Sequence, residues 1–419
     1  MRVLWVTAQI LPLVCDELGL RTNGFGGWVM NMLQQLLRVD DLELGVVMVS
    51  SKTSKIMYTT KDGIKCYVAP NIGNKGISEE DRNSIIEMFK PDIIHIEGNE
   101  FGIHNSFSQV RCVPVMVSLQ GILSGYEQYQ YGGLPIADYM FSPSKHNIIS
   151  SWILYFKKHF LFDKRLSLEN ETIKNVKYIS GRTFWDKAHS YWINPDAVYF
   201  SCNRILRPFF YENEWNYDRC KPLSIFVGNG YSPLKGIHNV IDALGLLKKE
   251  YPEIKLYVAG ENPICKKKLS IKRFGYSNLL RKRIAEAGVE NNVFFIGSLD
   301  GEKMVDAMIN CNVYVLPSLI ENSPNTLGEA MILGMPCVSA YTGGASEMAV
   351  DEKECLFYRA NDSKLLAWQL KRVFDDRLFA ERIGINARKH AMVTHDPIRN
   401  RDSLIDSYKR ILSGREEEM

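Results

Sequence analysis

Apolar residues along this chain fall into short runs that end in glycine or a polar turn. These alternate with segments whose apolar positions recur every three or four residues. The short runs fit strands buried on both faces, and the longer period fits helices that cover them. The rhythm predicts an α/β chain built of two doubly wound, Rossmann-like halves. The first cycle is a strand over 3–7, a turn Gly24-Phe25-Gly26-Gly27 and a helix from Trp28 to Leu37. Strands follow at 44–50, at Tyr67-Val68, and at 91–98, 113–119, 178–180 and 196–201, with a helix over 79–89 halted at Pro91. A polar, irregular stretch over 211–222, closed by Pro222, reads as a linker.

The rhythm then restarts. A strand over 223–227 leads into a glycine-rich loop, 228–236, and a helix over 237–250 with Val240, Ala243, Leu244 and Leu247 on its core face. Further strands are expected at 254–259, 293–297, 313–316 and 336–340, and helices at 279–287, 303–310, 325–333, 363–374 and 377–395. Pro397 breaks the chain before a last helix over 401–412.

The most informative stretch is Tyr314 to Glu347. A strand runs into the polar loop Glu321-Asn322-Ser323, with Ser323 suited to cap a helix and Pro324 to open it. The free amides of Asn325, Thr326 and Leu327 would then favour an anion such as a diphosphate. Glu321 and Glu329 flank that position, which makes sense if their carboxylates accept hydrogen bonds from hydroxyls on either side of the phosphates. The turn Thr342-Gly343-Gly344 lets backbone approach the same ligand. In the earlier loop, Lys235 stands before a helix start, again suited to a diphosphate.

This stretch resembles the donor-binding signature of glycosyltransferase family 4, whose members are retaining, GT-B-fold enzymes that use nucleotide sugars. The resemblance implies two Rossmann-like domains facing across a cleft: 1–215, which reads the acceptor, and 216–397, which binds the donor, with 398–419 crossing back onto the first. It implies that Glu321 contacts donor-sugar hydroxyls, that Glu329 contacts the ribose, and that the backbone from Gly297 to Leu299 lies near the base. Ser323, Gly228 and Asn229 join the donor site. Gly26 and Gly27 match a turn near the diphosphate and acceptor, and Glu97 and Gln120 line the cleft from strand ends. The stretch Tyr178 to Asp186 resembles a gRTxWD sequence found in bacterial members. Its Arg182 would bind phosphate or an acidic acceptor group, unless it is only an ion-pair partner of Asp186. Lys235 and Arg182 would stabilise the departing diphosphate, with no metal required and no cofactor beyond the nucleotide sugar.

Two positions depart from the family. Gln120 replaces a histidine and cannot exchange a proton near neutral pH. Asn229 replaces an arginine, so another basic residue must compensate for the lost phosphate contact. Alternatives are an epimerase, a phosphorylase or a non-catalytic sugar-nucleotide-binding subunit. The resemblance suggests assembly of a surface polysaccharide or other glycan.

Composition adds limits. A net charge of +3 and 24% charged residues argue against a nucleic-acid binder. The nine cysteines contain no C-x-x-C pair, which favours a reducing cytosol over a disulfide framework or zinc knuckle. No apolar run spans a bilayer, and Thr7, Gln9 and Pro12 argue against a signal peptide. Ser151 to Phe162 mixes aromatics with Lys157 and Lys158. It fits either an interfacial segment at the inner face of the plasma membrane, beside a lipid-linked acceptor, or a core-packed helix with snorkelling lysines. The basic cluster Lys266–Lys268 and Lys272-Arg273 reads as a solvated insertion.

Overall fold

The computed structural model describes residues 1–19, 27–135, 145–264 and 274–414. Gly26 and the basic cluster at 266–273 lie outside them. The chain forms two compact units: residues 1–124, 162–206 and 395–419, and residues 125–161 and 207–394. Where the sequence placed the boundary at 215/216, the division falls between Leu206 and Arg207. The polar stretch that reads as a linker is anchored by Trp215, which is 6% exposed. Its backbone N–H donates to the Leu333 carbonyl at 2.7 Å, and its indole N–H donates to that of Cys311 at 2.8 Å.

The first unit holds an eight-stranded sheet: β1 (Arg2–Thr7), β2 (Glu43–Ser50), β3 (Met57–Lys61), β4 (Ile64–Pro70), β5 (Ile93–Glu97), β6 (Val115–Ser118), β7 (Tyr178–Gly181) and β8 (Val198–Ser201). The spatial order is β3-β4-β2-β1-β5-β6-β7-β8. All neighbours are parallel except β3 and β4, a hairpin that the sequence reading lacked. Asp62 (φ 49°) and Gly63 (φ 81°) supply the two positive φ angles of its tight turn.

The order reverses between β1 and β5, which are paired with Thr7 opposite Glu97. Chain leaving these two strands departs to opposite sides and opens a crevice at their carboxyl ends. The helix Pro397–Ser413 packs Leu404, Ile405, Tyr408 and Ile411 into the same core as Trp5 and Val46. Pro397 opens this helix rather than breaking the chain: Asp396 caps it from the Arg399 amide, and proline fits a first-turn position that needs no N–H.

The second unit holds six parallel strands: β9 (Lys221–Val227), β10 (Lys255–Ala259), β11 (Val293–Gly297), β12 (Cys311–Leu316), β13 (Cys337–Tyr341) and β14 (Leu356–Arg359). Their order is β11-β10-β9-β12-β13-β14, so the reversal lies between β9 and β12. Ile225, Val227, Val313 and Val315 join Val240, Leu244 and Leu247 of the helix Ile237–Leu247 in one core.

Gly45 in β2 has no room for a side chain. A Cβ there would lie 2.8 Å from the Phe89 ring and 2.9 Å from Leu4. Gly45→Ala is expected to cost about 1–3 kcal/mol through overpacking, read as a lowered denaturant midpoint at unchanged slope.

Candidate active site

Three turns of the second unit meet at the reversal between β9 and β12. The loop after β9 packs against the helix Asn325–Leu333, since a Cβ on Gly228 would lie 3.2 Å from Thr326. Gly236 (φ 67°) lies so close to the loop after β12 that a Cβ would fall 1.9 Å from the Pro317 carbonyl oxygen. The Leu319 amide donates to the Leu234 carbonyl at 2.9 Å. From the third side, the Gly344 amide donates to the Glu321 carbonyl at 3.0 Å, and Gly343 (φ 47°) leaves no space for a Cβ.

This interlock brings Lys235 and Glu321 together as an ion pair. Glu321 has a side chain only 12% exposed, so it is not a solvated loop residue. The Tyr314 hydroxyl donates to Thr326 at 2.8 Å. Burial holds that phenol well above its usual range, with both Glu321 and Glu329 adding to the effect.

Ser323 does not cap the helix. The cap position is Pro324, without a side-chain bond, and the Ser323 hydroxyl points instead to the Met348 sulfur at 3.8 Å. The helix begins one residue later than Ser323 requires, because Pro324 is itself extended (φ −70°, ψ 118°). The Leu327 amide is also withdrawn from ligand binding, donating to the Pro324 carbonyl at 3.1 Å. The first-turn amides of Asn325 and Thr326 have no partner within the helix. Gly334 (φ 79°) ends the helix as expected.

Glu329 is 2% exposed, and both its oxygens accept from Arg207 at 2.7 Å. Burial raises its pKa above the ordinary carboxylate value despite this partner. Arg207 escaped the sequence reading because an isolated arginine in a loop carries no spacing signal. Asn229 folds back on its own turn, accepting from the Tyr231 amide at 3.0 Å. Gly297 (φ 82°) receives the Gly260 amide on its carbonyl at 2.8 Å, at the ends of β10 and β11, with Leu299 following in the next loop.

In the first unit, Glu97 and Arg182 line one pocket at the carboxyl ends of the central strands, together with Trp28, His95 and Arg204. Glu97 is 6% exposed and accepts from the Trp28 indole at 3.2 Å and from Arg204 at 2.9 Å. Gln120 donates to the Glu97 backbone carbonyl at 3.4 Å. The Arg182 guanidinium donates to the Leu119 and Gln120 carbonyls at 2.9 Å each. Asp186 takes the Arg182 backbone amide at 3.0 Å and completes the capping box with Thr183 at the start of the helix Phe184–Ile193, so it meets the arginine through its backbone. His95 lies mid-strand between the Tyr408 and Ser118 hydroxyls, and burial pushes its pKa down to about 3, so it is neutral. Gly27 opens the helix Gly27–Leu36.

Removing Arg207 would strand a buried carboxylate. Arg207→Met should destabilise the protein by about 3 kcal/mol at neutral pH, the low end for a broken buried pair because Arg207 is partly exposed. Glu329 binds its proton more tightly folded than unfolded, so its ionisation disfavours the fold as pH rises above the ordinary carboxylate range. The deficit of Arg207→Met should therefore shrink toward pH 4–5 (about the carboxylate range) and largely vanish in Arg207→Met/Glu329→Gln. Denaturant melts across pH check both.

Residues 210–390 match the family of glycosyl transferases group 1. The uncharacterized glycosyltransferase YqgM of Bacillus subtilis is 25% identical over 192 residues, 45% of this chain and 50% of that protein. The chain thus spans about half the length of that curated relative. Among solved structures, a sucrose-phosphate synthase from Thermosynechococcus elongatus superposes with a TM-score of 0.73 at 14% identity, covering 99% of each chain. HepE of Anabaena, in complex with UDP and glucose, superposes with a TM-score of 0.68 at 15% identity, covering 98% of this chain and 99% of its own. Residues 210–390 are thus similar to the group 1 glycosyl transferases, within a chain that has the two-domain GT-B fold.

Proposed function

We propose that this protein transfers a hexose-type sugar from a nucleotide diphosphate sugar to an acceptor hydroxyl, with retention of anomeric configuration. The observation that carries the reading is the meeting of three turns at the reversal of the second sheet, with Lys235 and Glu321 paired where they converge. Support also comes from HepE, a protein of the same fold that binds UDP and glucose.

The diphosphate rests against the amides of Asn325 and Thr326, and Lys235 leaves Glu321 to neutralise it. Glu321, released, accepts from the sugar hydroxyls. Glu329 receives the ribose hydroxyls on the lone pairs that Arg207 leaves free. Gly228, Gly343 and Gly344 allow the backbone to approach, and the backbone at Gly297 to Leu299 borders the base. Lys235 stabilises charge on the leaving diphosphate, which is electrostatic catalysis. The leaving phosphate takes the acceptor proton, since no residue here serves as a nucleophile in this reading. No metal is required in it.

A place in surface-glycan assembly at the cytoplasmic side of a membrane completes the proposal. No helix among the described residues is long and apolar enough to cross a membrane. The helix Lys145–Asn175 leaves Trp152, Phe156 and Phe160 at 40%, 63% and 67% exposure, which suits peripheral contact.

A panel of nucleotide sugars should yield product with at least one donor. Glu321→Ala should retain nucleotide binding while turnover falls about 100-fold or more. Normal turnover in that variant would sink the site assignment. The protein should float with anionic liposomes, and Phe156→Ser/Phe160→Ser should stay at the bottom of the gradient.

A further inference from the structure

The first-unit pocket holds an imbalance of charge that the reading above does not use. We infer that it is an anion subsite in which Arg182 and Arg204 hold a phosphate or carboxylate group carried by the acceptor. The name acceptor rests on the sugar-transfer reading; the anion site itself does not.

Among the described residues, Glu97 is the sole carboxylate lining a pocket that two guanidinium groups share. The remaining candidates add no negative charge. His95 is neutral, and burial pushes the Cys202 thiol up to about 12, so it keeps its proton. Asp186 lines the cap rather than the pocket, its oxygens taken by the amides of Arg182 and Thr183 and by the Tyr199 hydroxyl. One positive charge is left over.

The guanidinium groups are also incompletely bonded. Arg182 spends one nitrogen on two carbonyls, and its Nε is buried with no acceptor. Arg204, with a side chain 13% exposed, gives one nitrogen to Glu97 and lies over the Trp28 ring at 4.7 Å. Burial, then repulsion from Arg182, pushes its pKa down to about 9. It stays charged at neutral pH, and the two arginines destabilise each other. A buried N–H without an acceptor costs free energy, as does a buried unpaired charge.

A single anion answers both deficits. Carboxylate and phosphate oxygens match the guanidinium fork, and an anion between two arginines relieves their repulsion. A neutral sugar could accept a hydrogen bond from Nε but would leave the charge uncompensated. A metal cation is excluded by the two arginines. The position also fits, since the pocket opens where β1 and β5 diverge, the ligand crevice of such sheets.

Calorimetric titration of the full chain with glucose 6-phosphate, glucuronate and glucose tests this, with UDP titrated separately. Binding of either acid in preference to glucose is expected, and which acid binds tells a phosphomonoester from a carboxylate. Arg182→Gln and Arg204→Gln should each weaken that binding at least about tenfold. Glu97→Gln should strengthen it, an effect that general damage to the fold would not produce. Lys235→Ala should weaken UDP binding and leave the acid unaffected. The inference is overturned if neither acid binds better than glucose, if the arginine variants bind as the parent does, or if Lys235→Ala abolishes acid binding. Acid binding with no product from any donor of the nucleotide-sugar panel would instead retain the anion site and remove the sugar-transfer reading.

Discussion

A Cβ at position 236 would fall 1.9 Å from the Pro317 carbonyl oxygen, and one at position 343 would fall 2.1 Å from that of Glu321. Backbone touches backbone at both places, and only glycine permits it. The candidate donor site depends on these two contacts. They fix the loop after β12 against the loops after β9 and β13, and so bring Lys235 to Glu321. Lys235 ends the short 3-10 turn Pro233–Lys235 and Glu321 lies in a loop, yet each is held by the strand ends that border the sheet reversal.

Charge is handled differently in the two units. In the second, Glu329 is buried but met on both oxygens by Arg207, so the charge count closes while the carboxylate keeps lone pairs for hydroxyls. In the first, Arg182 and Arg204 line a pocket with one carboxylate, which is bonded to Arg204, and the count does not close. A buried charge is costly unless it is paired, and a fold that keeps an unbalanced one at a crevice retains it at the expense of stability. The phenol of Tyr314 is the reverse case. It sits near two acids and is kept neutral by burial, with its hydroxyl committed to Thr326.

Much of the candidate donor site could be assembled from the order of residues alone. Glu321, Glu329, Lys235, Gly228 and the turn at 342–344 could be grouped because a strand, a helix start and glycine turns follow one another at short range. Local chemistry also decided Gly334 as a helix end. It failed at Ser323 and Pro397, where a proline was free to sit before the first turn or within it. Both choices satisfy local sterics, and packing made the selection. The hairpin at Asp62-Gly63 had its turn signal in plain view.

Periodicity, glycine turns and proline breaks therefore determined most of the strands and helices, and that two doubly wound sheets follow one another. Those features are set by neighbours within a turn or two along the chain. The tertiary structure alone decided which distant groups meet. It put Arg207 on Glu329 across 122 positions and Arg204 on Glu97 across 107. It also drew Trp215 out of an apparent linker and into the second unit. Burial and pairing of charge depend on atoms far apart in sequence, and no local pattern encodes them.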